Sequence, residues 1–333
     1  MLHPKSKPLL TQGKNLLAFS AGVDSTALFF LLRDAHIPFD IALVDYGIRE
    51  QSKQEVAYAK ELAQNFQCKC HIFTAPRITR NFEAQARTIR YNFFEELIAQ
   101  YNYTNLLTAH HLGDRFEWML MQFCKGAGCI EIAGMQMIQT RNNYTLIRPL
   151  LYQDKSDLLE YLHKNNIQYF EDDSNNDLSI TRNKFRHNYA RTLLDEYKEG
   201  IAKSFSYLDK DIQELVVDTS VQQYKDLGYF KATPSMRSNI IAIDQYLKAR
   251  NHIITASEKL LLEDLYSNKS SVLGRKYLVS YHKPYIFITP FKTKTPLPKV
   301  FKEKMRKLQI DPKLRVYLYL DAEVEAFVSG LLA

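Results

Sequence analysis

The stretch from Leu16 to Leu32 narrows the possible folds more than any other part of the chain. Leu16, Leu17, Ala18 and Phe19 form a short apolar run with no polar alternation, the mark of a strand buried on both faces. Ser20, Ala21 and Gly22 follow as a tight small-residue turn, and Val23, Asp24 and Ser25 lead into an apolar segment of helical length ending at Leu32. A strand, a small-residue loop and a helix start, in that order, make an anion site, because backbone N–H groups and the helix dipole both point at the ligand. Ser20 and Ser25 add hydroxyl donors. Asp24 fits beside phosphates when a metal ion lies between them; otherwise Asp24 or Ser25 simply caps a helix. Two commoner nucleotide motifs are excluded. There is no Gly-x-x-x-x-Gly-Lys-Ser/Thr, and the Gly126-x-Gly128 pair has Glu131 where the dinucleotide fingerprint requires a third glycine.

The same alternation continues over the first 110 residues. Leu16–Phe19, Asp40–Asp45, Lys69–Thr74 and Asn105–Ala109 read as strands; Thr26–Arg33, Ser52–Phe66, Glu83–Gln100 and Gly113–Phe123 read as helices. This is the pattern of a doubly wound α/β domain with a parallel sheet, whose ligands bind at the carboxyl ends of the strands. The Ser20–Ser25 loop, Asp45-Tyr46-Gly47 and His110-His111 all fall at such ends. Beyond Pro149 the pattern turns helical. The expected division is a catalytic domain over 1–200, a connecting helix over 201–217 and a smaller, mainly helical domain over 218–333. That last part contains a hairpin, Lys276–Ser280 with Tyr285–Thr289, turning at His282-Lys283-Pro284.

At 333 residues, with 46% hydrophobic and 24% charged residues, the composition is that of a soluble globular protein. The apolar run Ala27–Leu32 is far too short to span a bilayer, and the first residues lack the apolar core of a signal peptide. The expectation is a cytoplasmic protein without a membrane partner. Cys68, Cys70, Cys124 and Cys129 show neither metal-ligand nor disulfide spacing. Charge is lopsided. Residues 1–190 carry 21 Lys and Arg against 20 Asp and Glu, whereas residues 191–333 carry 23 against 17. Seven basic residues crowd Lys292–Lys307, opposed only by Glu303; such a cluster is either a solvated face or the footprint of polyanion binding.

Three further constellations carry chemistry. Asp114 and Glu117, three apart at a helix start just after His110-His111, share a face and suit Mg²⁺ or an ammonium group, or else ordinary capping. Arg87 and Arg90 share a helix face, either solvated or as an anion clamp, and Arg148 opens an Arg-Pro-Leu turn. An acidic, Asn-rich loop over 171–177 precedes Arg182 and Arg186, which at i and i+4 lie on one side of a helix. They serve as phosphate contacts or as internal ion pairs.

The loop Ser20-Ala21-Gly22-Val23-Asp24-Ser25 resembles the Ser-Gly-Gly-x-Asp-Ser loop of the PP-loop ATP pyrophosphatases, which cleave ATP between its α and β phosphates. Ala21 stands where that family usually has Gly, at a cost on the order of 1 kcal/mol if the position needs positive φ. The ordered set is similar to the tRNA(Ile)-lysidine synthetase branch. A His-His-x-x-Asp-Gln-x-Glu-Thr block is matched by His110, His111, Asp114 and Glu117, with Arg115 and Trp118 replacing Gln and Thr. An Ala-Arg-x-x-Arg-Tyr block is matched by Ala86, Arg87, Arg90 and Tyr91. Arg148 to Leu150 match Arg-Pro-Leu, and Asp45-Tyr46-Gly47-Ile48-Arg49 matches Asp-His-Gly-x-Arg with Tyr for His. Glu171, Asp172, Ser174, Asn175, Asp177, Arg182, Asn183 and Arg186 match the last block.

The resemblance implies a two-step ligase using ATP, Mg²⁺ and free L-lysine on a tRNA(Ile) with the anticodon CAU. The loop residues Ser20 to Ser25 would bind ATP, with Asp24 on the metal. Asp114 and Glu117 would hold lysine or metal, and His110 would stand by as a catalytic group. Arg87, Arg90, Arg148, Arg182 and Arg186 would contact tRNA or phosphate, and the basic C-terminal region would hold the tRNA. Two other readings are a thiolase of the same superfamily, which tends to need the paired cysteines this chain lacks, and a non-catalytic ATP-binding module, which needs neither the second carboxylate pair nor a basic extra domain.

Overall fold

The computed structural model describes residues 1–47, 51–141, 143–171, 177, 179–215, 219–293 and 295–332. It divides into two compact units, Met1–Ile212 and Gln213–Ala333.

In the first unit a short helix α1 (Lys7–Gln12) precedes the alternating core: β1 (Asn15–Ala18), α2 (Val23–Asp34), β2 (Phe39–Asp45), α3 (Gln51–Asn65), β3 (Cys70–Thr74), α4 (Phe82–Tyr101), β4 (Asn105–Leu107) and α5 (Leu112–Phe123). Then come α6 (Cys129–Ala133), β5 (Ile138–Thr140), β6 (Thr145–Ile147), α7 (Lys155–Lys164), α8 (Thr181–Phe185) and α9 (Arg191–Leu215). Each of the four strands and four helices expected before residue 124 falls on an observed element, with ends shifted by no more than three residues. The sheet order is β3-β2-β1-β4-β6-β5. The strands run parallel except β5, which pairs antiparallel with β6 at one edge. The sheet is thus the expected doubly wound parallel one, with a single antiparallel edge strand.

Strand periodicity explains the two covered faces. Leu17, Ile41, Leu43, Leu107 and Ile147 pack with residues of α2, α3 and α7. Their neighbours Leu16, Ala42, Leu106 and Leu146 point the other way and pack with Phe93, Phe94, Leu97 and Ile98 of α4. Every fully buried leucine in these layers contributes roughly 2 kcal/mol, so the register is firmly set and the strand ends are held in line. The expected connecting helix over 201–217 is the later part of a longer helix that begins at Arg191; residues 216 and 217 lie outside the described residues.

The second unit holds β7 (Gln222–Tyr224), β8 (Leu227–Lys231), α10 (Met236–Lys248), α11 (Ala256–Glu263), α12 (Leu265–Asn268), β9 (Ser270–Leu273), β10 (Tyr277–His282), β11 (Tyr285–Pro290), α13 (Lys299–Lys307), α14 (Pro312–Leu320) and α15 (Ala322–Leu332). Helices predominate among its described residues, as expected. The expected hairpin is β10–β11, with His282 facing Tyr285. It lies inside an antiparallel sheet of order β7-β8-β11-β10-β9, which the sequence reading did not anticipate. Val279, Ile286 and Ile288 pack on the side of α10 to α12, and Leu278 and Phe287 on the side of α13 to α15. Among the described residues no helix is long and apolar enough to cross a membrane.

Candidate active site

The β1–α2 loop is held by its own polar groups and by one neighbouring segment. Ser25 Oγ accepts from the Ser20 N–H at 3.2 Å, lies 3.1 Å from Ser20 Oγ and donates to the Gly22 carbonyl at 3.2 Å. The Phe170 N–H donates to the Ala21 carbonyl at 3.0 Å, and Gly22 bridges to Phe170. Ala21 has φ +59°, so the left-handed conformation that glycine would take freely is imposed on an alanine. Gly22 is different. Its φ is −75°, and a Cβ built there would meet protein atoms no closer than 3.5 Å. Neither the backbone nor the packing requires glycine at that position, since a Cβ there would make only ordinary contacts with Ser20 Oγ and the Phe170 carbonyl.

Helix α5 starts at the end of β4 with an unusual cap. The His111 ring accepts the Gly113 N–H on Nδ1 at 3.0 Å, and Asp114 Oδ2 accepts the His111 N–H at 3.0 Å, closing a capping box. Because Nδ1 is an acceptor here, the hydrogen-bond pattern assigns the ring proton to Nε2. That Nε2–H faces two carboxylates, Asp24 Oδ2 at 3.8 Å and Asp114 Oδ2 at 3.7 Å. His111 therefore links the phosphate-type loop on β1 to the acidic helix start on β4.

Asp114 and Glu117 are buried and fully engaged. Arg182 reaches Asp114 Oδ1 at 2.5 Å and Glu117 Oε2 at 3.0 Å, while Arg186 reaches Glu117 Oε1 at 2.6 Å. Two acids and two guanidiniums form one balanced cluster. Burial raises the Asp114 carboxyl, but His111, Arg182, His110 and the His111 N–H together outweigh it and hold the group well below its ordinary value. Asp24 behaves oppositely. Burial lifts its carboxyl above the ordinary value; His111 partly offsets that, and the Asp114 charge adds to it. Asp24 Oδ1 is buried with no hydrogen-bond partner among the described residues, although the side chain as a whole keeps a third of its surface exposed.

His110 Nδ1 lies 2.9 Å from Thr108 Oγ1. Burial pushes its imidazole down to about 4, with Asp114 opposing and Arg148, Arg182 and Arg87 adding to the fall, so the ring is neutral at pH 7. Arg148 is almost wholly buried and donates to the Gln136 carbonyl at 2.6 Å. Arg87 lies over the Tyr91 ring at 4.6 Å, and Arg90 is exposed on the same helix. Asp45 Oδ1 accepts the Gly47 N–H at 2.8 Å. Ile48, Arg49, Asp172, Ser174 and Asn175 lie outside the described residues. The structure thus gathers Asp24, His110, His111, Asp114, Glu117, Arg182 and Arg186 at one end of the sheet, with the charges of Arg87 and Arg148 acting on His110.

Arg115, which stands where the resembled block has Gln, points away from this cluster. It is fully buried and pairs with Asp209 of α9 at 2.5 Å and 3.0 Å, while its Nε donates to the Ala133 carbonyl at 3.0 Å. Tyr152 hydrogen-bonds the same carboxylate. Trp118, in place of Thr, donates its indole N–H to the Glu131 carbonyl at 2.8 Å.

A strand-end loop bearing Asp24, facing a buried carboxylate–arginine cluster on a mostly parallel sheet, defines a nucleotide-handling α/β site. The family model of the PP-loop domain matches residues 2–193. The chain is 42% identical over 314 residues to the tRNA(Ile)-lysidine synthase of Helicobacter pylori (strain 26695), spanning 94% of this chain and 91% of the relative. It is 43% identical over 311 residues to the tRNA(Ile)-lysidine synthase of Wolinella succinogenes, spanning 93% of this chain and 94% of that relative. Among solved structures, the U34-tRNA thiolase NcsA from Methanococcus maripaludis aligns with a TM-score of 0.50 at 16% identity, over 64% of this chain and 76% of that chain, a likeness of fold. The chain belongs to the PP-loop family and, within it, to the family of the tRNA(Ile)-lysidine synthases.

Proposed function

We propose that this chain is a tRNA(Ile)-lysidine synthase that joins free L-lysine to the wobble cytidine of a CAU-anticodon tRNA at the expense of ATP. The observation that carries this reading is the pairing of the Ser20–Ser25 loop with the Asp114–Glu117–Arg182–Arg186 cluster through His111. Phosphate binding alone needs the loop; a second, acid-and-arginine site beside it is what a two-step transfer needs.

In the first step the cytidine 2-carbonyl oxygen attacks the α-phosphorus of ATP, an O–P bond forms, and the bond to pyrophosphate breaks. Backbone N–H groups of the loop, with Ser20 and Ser25, receive the departing phosphates at the positive end of α2. The space left by the missing Cβ of Gly22 lets phosphate oxygens approach the backbone. Asp24 suits Mg²⁺: its unpartnered buried oxygen and raised carboxyl mark an acceptor without a cation. Bound there, the ion supplies charge neutralisation for the leaving pyrophosphate.

In the second step the lysine ε-amine attacks cytidine C2, a C–N bond forms, and the C–O bond to AMP breaks. An ammonium of ordinary pKa about 10.4 must first lose a proton, which passes to solvent. His110, held at about 4, is too weak a base to take that proton outright and serves as a neutral hydrogen-bonding wall. The balanced Asp114–Glu117–Arg182–Arg186 cluster stands beside the reacting lysine without a free carboxylate oxygen, and the lysine's positive charge is matched by the phosphate of the adenylated cytidine.

The test is incubation of the full chain with ATP, Mg²⁺, lysine and an unmodified CAU-anticodon tRNA, followed by nucleoside mass analysis. Lysidine with one pyrophosphate released per product is the expected result. Pyrophosphate release without lysidine at any lysine concentration would remove lysine as the co-substrate, and no release at all would leave only nucleotide binding.

A further inference from the structure

Helix α4 and the β5–β6 turn line a groove of about 290 Å³, with Arg87, Thr88, Tyr91, Asn92 and Glu95 from the helix and Arg141 from the turn. Buried polar groups in folded proteins are nearly always partnered. Here two donors of lining residues, Tyr91 Oη and Arg141 Nε, have no partner among the described residues, and neither has Arg148 Nε, which is buried outside the lining. They belong to a crowd of like charges. Burial pulls Arg148 down to about 10; Tyr91 opposes the fall, Arg141 and Arg87 add to it, and no carboxylate is among the principal groups acting on it. The groove's own acid, Glu95, already accepts from the Tyr144 hydroxyl at 3.2 Å.

Unpaired cations beside orphaned donors make an arrangement that an anion completes. Guanidinium groups suit a tetrahedral oxyanion, because planar forks pair its oxygens two at a time. Location narrows the source, since Arg87 and Arg148 also act on His110, the neutral wall of the proposed reaction site. A strand delivering a nucleotide to His110 would lay its adjoining phosphate along this groove.

We propose that the α4 groove binds one phosphodiester of the substrate RNA strand, with Arg87 and Arg141 pairing its oxygens, Tyr91 donating from the groove wall and the buried Arg148 adding its charge. This rests on the RNA-modifying reading and adds Arg141 and Tyr91 to the residues that read the strand. Such a contact carries no base information; it sets the register of the nucleotide to be modified. A phosphate carried by ATP has the same chemistry, so the test has two arms.

Binding of the CAU-anticodon tRNA to the full chain is measured by filter retention across a salt series, and ATP affinity is measured separately, for wild type, Arg141→Gln, Arg141→Lys and Tyr91→Phe. Arg141→Gln should raise the tRNA Kd about tenfold, the worth of one charged hydrogen-bonded contact. It should also flatten the slope of log affinity against log salt by roughly 0.7 to 0.9. Arg141→Lys should restore the slope but only part of the affinity, since a point charge replaces a fork. Tyr91→Phe, which removes a single oxygen and leaves the ring packing, should weaken binding a few-fold with the slope unchanged. ATP affinity should hold in all three. Unchanged tRNA binding in Arg141→Gln and Tyr91→Phe overturns the proposal, and so does a loss confined to ATP. Since binding is read without turnover, lysidine formation by wild type alongside unaltered variant binding overturns the groove alone. A wild type that binds no tRNA overturns the functional reading, and the groove proposal with it.

Discussion

His111 performs two jobs with two different nitrogen atoms, so they can be separated. Nδ1 caps α5 by accepting the Gly113 N–H at 3.0 Å, and Nε2–H faces Asp24 and Asp114 at 3.8 Å and 3.7 Å. The side-chain oxygen of asparagine falls near the place of Nδ1, and the amide nitrogen of glutamine near the place of Nε2. His111→Asn therefore keeps the cap and loses the donor to the carboxylates, while His111→Gln does the reverse. Both trim a ring that is 5% exposed, so the packing loss largely cancels in the comparison. An N-cap is worth about 1 kcal/mol. His111→Gln should accordingly melt about 2–4 °C below His111→Asn in the transition of the first unit.

Pyrophosphate release should follow the opposite order. Without the Nε2–H, no donor stands between two carboxylates on different helices, and Asp24 shifts against the loop. A displacement near 1 Å at a reacting centre costs on the order of 10²-fold, the loss expected for His111→Asn but not for His111→Gln. Gly113→Ala provides an independent check, because the new Cβ would lie 2.8 Å from His111 Cε1 and must push the ring aside. It should impair release although alanine is the better helix former. Equal activity in His111→Asn and His111→Gln would refute the bridging role, and equal melting would refute the cap.

Asp24→Asn should abolish pyrophosphate release yet melt no lower than wild type at pH 7. A carboxyl raised by burial loses stability as pH rises through its folded value, so any advantage of the variant should vanish below the ordinary 3.8. Asp114→Asn carries the opposite sign: its stabilisation is present above 3.8 and lost as pH falls, so melting curves should show a deficit at pH 7 that closes on acidification. Asp209→Ala leaves the fully buried Arg115 unpaired and should cost about 3–5 kcal/mol in urea unfolding, with Asp209→Asn costing clearly less. On α13, Lys304 is paired with Glu325 at 2.9 Å, whereas Lys302 and Lys307 are exposed without a carboxylate partner among the described residues. Lys302→Gln with Lys307→Gln should therefore flatten the salt dependence of tRNA binding more than Lys304→Gln with either one; equal effects would assign the cluster to solvent.

The alternating core was legible because buried parallel strands and the helices between them leave long apolar signals, as at Leu16–Phe19 and Phe93–Ile98. Strands β5, β6 and β7, each of three residues, are too short to leave such a signal, although β5 pairs with the adjacent β6 and β7 with the adjacent β8. Distance along the chain hid the polar contacts. Asp114, Glu117, Arg182 and Arg186 each stood out in the sequence, but the 65 to 69 residues between partners made two sets of what is one cluster. The Arg115–Asp209 pair, 94 residues apart, left no local trace. His111 was visible only as the neighbour of His110, since caps are ordinarily Ser, Thr, Asp or Asn. The small residue at Gly113, which lets the ring sit against the first turn, was the available clue.

Ala21 shows how a departure from the usual loop is absorbed. Its φ of +59° costs about 1–2 kcal/mol for an L-residue with a Cβ. Against this, the methyl is wholly buried in the core beneath α2, worth about 0.8 kcal/mol, and alanine spares the unfolded chain about 0.4–1 kcal/mol of entropy relative to glycine. The terms nearly cancel. Ala21→Gly should therefore change unfolding stability by less than about 1 kcal/mol in either direction. It should also leave ATP affinity intact, because the Ala21 carbonyl keeps its bond from the Phe170 N–H. A stabilisation above about 2 kcal/mol would mean that the methyl contributes nothing and the strain stands uncompensated. A loss of ATP affinity would mean that the strained residue itself holds the phosphate-facing amides in place.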